Sequence, residues 1–524
     1  MSASDRETPA RGAPSTHAPI DPRRRSFLAL ALAAGVAPGI VACAHLRTWK
    51  SDPFALGIAS GCPRPDGIVL WTRIAPGADP GAREPVGWEL AADEGFRDVV
   101  RRGSELADAD AAHSVHVEVR GLDPSRWYWY RFAAGDARSA VGRTRTAPAP
   151  GREEPLSFAI ASCQRYDDGH YAAWRHLADE APGLVVFLGD YVYESAPRKD
   201  RVRTHSGRGA ARSLDDYRAR YAQYKSDADL QRIHASAPWI LTWDDHEVQN
   251  DYASDRGQDL APDFLARRAA AYRAWWEHMP MPPSMRPDGP DLRVHDHYDW
   301  GALARFHVLD DRQYRDAHAC PPPGRGGSTT VDVADCPDLL RADRTILGRA
   351  QERWLEEGLA QRDVRWNLIA QQTLMAPFTW TKEGRYWTDG WAGYPAARDR
   401  LFDAIVEREV ANPVVLSGDV HCNYVCDLRR RVDDPPGAVI ASEFCGTSIS
   451  SAGLPQSRVA AALPLNPHVR YGRSDERGYV ALWLDRSRVE ASLRVVSDVE
   501  DPNATIRTSA RFVVEAGRPG PQPG

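Results

Sequence analysis

The chain has 524 residues, 43% of them hydrophobic and 26% charged, with a formal net charge of −6 at pH 7. These values describe a globular protein of two or three domains and exclude wholesale disorder, collagen and coiled coil. So small a charge over this length leaves no basic footprint for nucleic acid or a membrane surface, while a local basic pocket for an anionic substrate stays open.

Residues 1–22 are polar and rich in Pro, Ser and Ala, a disordered leader by composition. Arg23-Arg24-Arg25-Ser26-Phe27-Leu28 follows, and then an uncharged apolar run to Ala42. A charged segment before a short apolar one is an export signal, and paired arginines before Ser-Phe-Leu fit the twin-arginine type. The run contains Gly35, Pro38 and Gly39 and falls short of the roughly 20 residues of a membrane span. Residues 1–44 are therefore predicted to be a twin-arginine export signal, which makes the twin-arginine translocase a partner and the periplasm, cell surface or medium the destination. Ala42-Cys43-Ala44 fits small-x-small cleavage, and Ile40-Val41-Ala42-Cys43 fits a lipoprotein box that would place a lipid anchor on Cys43. Both processing routes stay open.

From 50 to 148, short alternating stretches such as His116-Val117-Glu118-Val119 and Trp127-Tyr128-Trp129-Tyr130-Arg131-Phe132 are cut by Gly, Pro and Asp, which predicts a small all-β sandwich of immunoglobulin or fibronectin type. A Pro-containing linker, 147–155, leads to a region of different character, 155–516. There Leu156–Ala161 and Leu184–Leu188 are unbroken apolar runs, as in strands buried on both faces. Helical patterns cover Gly169–Ala181, Ser213–Ile233 and Pro262–His278, and further strands are predicted at Trp239–Trp243, Ala304–Leu309, Trp366–Ala370 and Val414–Ser417. Buried strands alternating with helices mean an α/β fold, closed by antiparallel strands within Gly478–Val496. The Gly/Pro-rich tail from Gly517 is predicted to be loose. Of the eight cysteines, Cys320 and Cys336 bracket a Pro/Gly/Ser/Thr-rich loop and are the expected disulfide, and Cys422, Cys426 and Cys445 offer one more pair.

Functional side chains of open α/β folds gather past the carboxyl ends of the strands. Four predicted strands end this way, in Ser162-Cys163-Gln164, in Gly189-Asp190-Tyr191-Val192-Tyr193-Glu194, in Asp244-Asp245-His246-Glu247 and in Gly418-Asp419-Val420-His421. Singly, each has an ordinary reading as a cap, a turn or a small core residue. Four together describe a convergent cluster. Thiolate, carboxylate, imidazole and phenolate do not make an all-oxygen calcium cage or a closed structural zinc site. They suit an ion such as iron, with a harder ion on the carboxylate side, and a bridging Asp190 would make a two-metal hydrolytic site.

These four segments resemble the PhoD-type alkaline phosphatases, a branch of the calcineurin-like metallophosphoesterases. Supporting stretches are Gln223–Asp227, Val308–Arg315 and Glu443–Ser448, and Gly57–Gly61 with Gly67–Arg73 resembles that family's N-terminal domain. Cys62 stands where the family has Asp. The resemblance implies a metallophosphoesterase sandwich with a small N-terminal all-β domain, and Fe³⁺ held by Cys163, Asp190, Tyr193 and His421. It implies one or two Ca²⁺ on the side of Asp190, Asp245 and Asp419, and His246 as the catalytic residue that protonates the leaving oxygen or steadies the phosphoryl group. Gln371 or Gln372 stands where the superfamily often has another ligand. The implied function is an exported metal-dependent phosphatase that hydrolyses phosphomonoesters and phosphodiesters by attack of a metal-bound hydroxide. Its substrates would be small phosphate esters, or diesters and lipids if it acts as a phospholipase D-like or teichoic-acid diesterase. A non-catalytic cell-surface binding protein is the reading from another class, and a domain that had degenerated in this way should have lost ligands.

Overall fold

Alternation decides the N-terminal strands. In Trp127–Ala134 every second residue is buried, so Tyr128, Tyr130, Phe132 and Ala134 face inward. They meet Ile68, Leu70, Val115, Val117 and Val119 in a core of their own. The computed structural model describes residues 48–75, 81, 83–431 and 437–524; the expected export signal and Cys43 lie outside them. Among the described residues no helix is long and apolar enough to cross a membrane.

The N-terminal strands fall into two sheets with different neighbours. Glu84–Ala91, Val99–Ala107 and Trp127–Ala134 form a separate sheet with two short strands. Ile58–Arg64, Gly67–Arg73 and Ser114–Arg120 instead extend the largest sheet of the molecule, through a parallel pairing of Gly61 with Trp239. A Cβ at Gly61 would stand 2.7 Å from the Pro280 carbonyl oxygen and 2.9 Å from that of Trp239, so the junction requires glycine.

That sheet has ten strands, and at its centre Leu156–Ala161, Leu184–Phe187 and Trp239–Leu241 run parallel. A second sheet of seven strands is built around parallel Ala304–Val308, Trp366–Ala370, Pro413–Ser417 and Val439–Cys445. The two sheets share one apolar core, in which Phe158 meets Phe306 edge to face at 5.4 Å. Along the second sheet Leu368, Ala370, Val414 and Leu416 join this shared core, while Ile369 and Val415 join the cluster formed with helices Gly348–Leu359 and Pro395–Glu407. Strands buried on both faces explain the unbroken apolar runs.

Three expectations shift. The helical pattern Ser213–Ile233 is two helices, Leu214–Lys225 and Ala228–Ser236, because the Asp227 carboxylate accepts from the amides of Asp229 and Leu230 and starts a new helix. The tail is not loose: Arg518–Pro523 is an edge strand on Ile506–Glu515, where proline is tolerated. Cys320 and Cys336 are bonded, whereas Cys422, Cys426 and Cys445 are free and buried. Register explains the free thiols, since Cys445 lies opposite Tyr424 and Cys426 opposite Glu443.

Because Phe306 is fully buried in the shared core against Phe158, Phe306→Ala should cost about 3–5 kcal/mol in urea unfolding, and Phe306→Leu clearly less. Equal stability of Phe306→Ala and the unaltered protein would show that the sheets are held together elsewhere.

Candidate metal centre

The parallel strands of both sheets deliver their carboxyl ends to one edge, and there the backbone is strained. Cys163, Asp190, Asp419 and His421 all have left-handed φ, at 59°, 59°, 65° and 52°. Such a conformation costs a non-glycine residue roughly 1–2 kcal/mol. The surroundings hold it in place. The Cys163 amide donates to the Gly189 carbonyl at 3.0 Å, and the Gln164 amide to that of Asp190 at 3.1 Å. The carboxylate of buried Glu247 accepts from the amides of Asp190 (3.1 Å), Tyr191 (2.6 Å) and Asp244 (2.9 Å), tying two strand ends together. At Gly189, with φ 111°, a Cβ would collide with Asp244, which fixes the residue type.

This backbone brings seven predicted residues to one place. Cys163, Asp190 and His421 offer donor atoms within 4.8 Å of one another, and so do Asp190, Asp245 and His246. Asp190 belongs to both groups. The Tyr193 hydroxyl donates to Asp190 Oδ2 at 2.7 Å, lies 3.2 Å from His421 Nε2 and accepts from Ser451 Oγ at 2.8 Å. Tyr191 turns away, with its hydroxyl 2.8 Å from His234 Nε2 and its ring against Phe187. His246 sits with its ring 4.1 Å from that of Tyr193, and its Nδ1 is 2.7 Å from Glu194 Oε2. Asp419 lines the same cleft as Asp190 and Asp245.

Crowding shifts the protons of these groups. Burial, reinforced by neighbouring carboxylates, pushes the Cys163 thiol and the Tyr193 phenol well up. Asp190 and Asp419 are raised by burial and by other aspartates, and Asp244 reaches about 7. Burial opposes a charge on His246, but Glu194, Asp190 and Asp245 outweigh it and hold its proton. Burial takes His421 down to about 3, so it is a neutral imidazole. Asp245 Oδ1 and Asp419 Oδ2 are buried without a hydrogen-bond partner. Thiol, phenol, neutral imidazole and orphaned carboxylate oxygens at one edge are a donor set for multivalent cations, which would displace the protons that burial imposes.

One cation is built in. The fully buried Arg312 guanidinium binds Asp244, donates to Asp389 at 2.8 and 2.9 Å, and lies 3.8 Å from Asp245 and 3.7 Å from Asp419. Asp389 also takes Arg315 and His318, each at 2.9 Å. Sequence reasoning named neither Arg312 nor Asp389 as a site residue. Arg312 follows the strand Ala304–Val308, so the strand-end argument applied to it as well. Asp389 sits in irregular chain and gave no signal. Gln371 and Gln372 are both buried; Gln372 Nε2 donates to the carbonyls of Trp243 (2.7 Å) and Leu309 (3.0 Å), so it joins strand ends and is not a donor to the cluster.

Residues 158–493 match the PhoD-like phosphatase family, and residues 41–148 match that family's N-terminal domain. Alkaline phosphatase D of Bacillus subtilis (strain 168) is 43% identical over 491 residues, covering 90% of this chain and 82% of its own. The chain belongs to the PhoD-like phosphatase family. A solved structure of PhoD superposes on it with a TM-score of 0.86 at 42% identity, covering 91% of this chain and 93% of that one. A purple acid phosphatase from yellow lupin seeds (Lupinus luteus) shares the fold, with a TM-score of 0.56 at 13% identity over 87% of this chain and 74% of its own. This PhoD-like protein is thus an alkaline phosphatase built on the metallophosphoesterase-like fold, and its clustered donor groups could hold metal ions.

Glu247 touches no predicted ligand side chain, yet it fixes the backbone that presents Asp190. Glu247→Gln sets an amide NH₂ against backbone N–H groups and should weaken metal binding about 10–100-fold, as loss of an outer partner of a metal site typically does. Metal titration of the apo-protein checks this; unchanged affinity would mean that the strained turns hold themselves.

Proposed function

We propose that this phosphatase is an exported phosphomonoesterase that also cleaves phosphodiesters, with Fe³⁺ held by Cys163, Asp190, Tyr193 and His421 and Ca²⁺ held by Asp190, Asp245 and Asp419. The observation that carries the reading is the membership of Asp190 in two donor groups, one containing a thiol and the other a second carboxylate. A thiolate and a phenolate favour the ferric ion, and carboxylates favour the harder one. A second Ca²⁺ would fall to Asp245, Asp251 and Asp389, a third buried group whose Asp389 is already paired with Arg312 and Arg315. The bound metals would supply neutralisation of phosphoryl charge and a water acidic enough to act as nucleophile.

The residues of the chain do the rest. Glu194 engages His246 Nδ1 and so orients the ring with Nε2 as its remaining nitrogen. From there His246 donates a proton to the departing alkoxide, a contribution that typically amounts to about 10²–10⁴-fold. Arg312 fixes the orientation of Asp244 and Asp389 beside the metal-binding carboxylates. The diesterase alternatives, phospholipase D-like or acting on teichoic acid, would draw support from a lipid anchor at Cys43.

If His246 is the acid, His246→Ala should keep its metals and lose at least tenfold more rate on alkyl than on aryl phosphates, since a good leaving group needs no proton; tenfold corresponds to about 1.4 kcal/mol. Equal losses on both esters would assign His246 to the phosphoryl group, and loss of metal would make it a ligand.

Ligation of Fe³⁺ by Tyr193 predicts coloured protein whose visible band shifts or bleaches in Tyr193→Phe and persists in Tyr191→Phe. Colourless protein containing zinc alone would refute the iron assignment. For export, replacing Arg24 and Arg25 together by lysine should leave the protein in the cytoplasm, and normal export of that variant would exclude the twin-arginine route.

A further inference from the structure

The cleft above the metal centre is larger than the centre needs. It encloses about 460 Å³, a volume typical of pockets that hold a whole small molecule. Asp190, Asp245, His246 and Asp419 belong to its lining, and much of the rest is apolar: Leu374, Phe378, Trp380, Trp387, Leu454 and Val459. Trp380 and Trp387 are half-buried and Leu454 is 39% exposed, so these side chains are not sealed into the core as Phe378 and Val459 are.

The rings are held in place. Phe378 meets Trp380 edge to face at 4.9 Å, and the Arg458 guanidinium covers the Trp380 ring at 4.7 Å. Trp387 lies on a two-stranded ribbon, Arg385–Trp387 against Thr330–Asp332, whose second strand is inside the loop closed by the Cys320–Cys336 disulfide. From Trp387 a chain of hydrogen bonds leads back to the metal centre: its Nε1 donates to Ser328 Oγ at 2.8 Å, Ser328 Oγ to Asp251 Oδ2 at 2.7 Å, and the Asp251 amide to Asp245 Oδ2 at 2.7 Å. The aromatic wall therefore has a fixed position relative to the phosphate-binding end.

We infer that Trp380 and Trp387, with Leu454, form a specificity subsite for a planar apolar group carried on the alcohol of the phosphate ester, with Phe378 backing Trp380 from the core. A flat group buries its faces against indole rings at little entropic cost, whereas a short polyol such as glycerol offers this wall nothing. The inference rests on the phosphatase reading only for where the phosphoryl group sits.

Binding of non-hydrolysable phosphonates to the metal-loaded protein, measured by calorimetry, tests the subsite apart from turnover. 2-(1-Naphthyl)ethylphosphonate should bind at least tenfold more tightly than butylphosphonate, and the ratio of the two dissociation constants should fall towards one in Trp380→Ala and in Trp387→Ala. Trp380→Ala carries the test if Trp387→Ala disturbs the ribbon. A ratio near one in the unaltered protein, a ratio that survives in both variants, or no binding of either phosphonate overturns the subsite. Hydrolysis of butyl phosphate, measured separately, is what the phosphatase reading stands or falls on.

Discussion

Buried negative charge at the shared edge of two sheets is the constraint on which the rest of this molecule depends. Asp190, Asp244, Asp245 and Asp389 are buried and the Asp419 side chain is only 10% exposed, and a carboxylate out of water is costly unless paired. Arg312 pairs with both Asp244 and Asp389, and Arg315 and His318 add to Asp389, while Asp244 Oδ2 keeps no hydrogen-bond partner. Asp245 and Asp419 also keep orphaned oxygens, and Asp190 is raised by its neighbours. The distribution is uneven: Asp389 takes two arginines and a histidine, while Arg312 comes no closer than 3.8 Å to Asp245 and 3.7 Å to Asp419.

The fold explains why the cost can be borne. Two sheets packed on one shared core hold their strand ends in fixed relation, and the left-handed turns at Cys163 and Asp190 are tied by hydrogen bonds between neighbouring strand ends. Strain of this kind persists only where a rigid frame supports it, and it collects at functional sites. The N-terminal strands widen the same sheet through the Gly61–Trp239 pairing, which places that segment within the frame.

Much of this was legible in the sequence. Runs such as Leu184–Leu188 announce strands buried on both faces, and the polar residues that end them announce the cluster. The choice between Tyr191 and Tyr193 was not legible from spacing, because residues two apart share a face only on an extended chain. Residues 191–193 are bends and irregular chain, not strand, and the two rings diverge. Asp389 and Trp387 both escaped because the ribbon that carries Trp387 and leads to Asp389 is made of two strands of only three residues each. Composition misled at the tail, where glycine and proline suggested disorder and an edge strand accepted both.

The central claim is that one edge of this fold holds two different cations bridged by Asp190. Anomalous diffraction from crystals of protein as isolated, collected above and below the iron absorption edge, tests it most directly. The account predicts an iron peak among Cys163, Asp190, Tyr193 and His421 and a second, non-iron cation among Asp190, Asp245 and Asp419. A single cation, or a pair in which Cys163 takes no part, would contradict it.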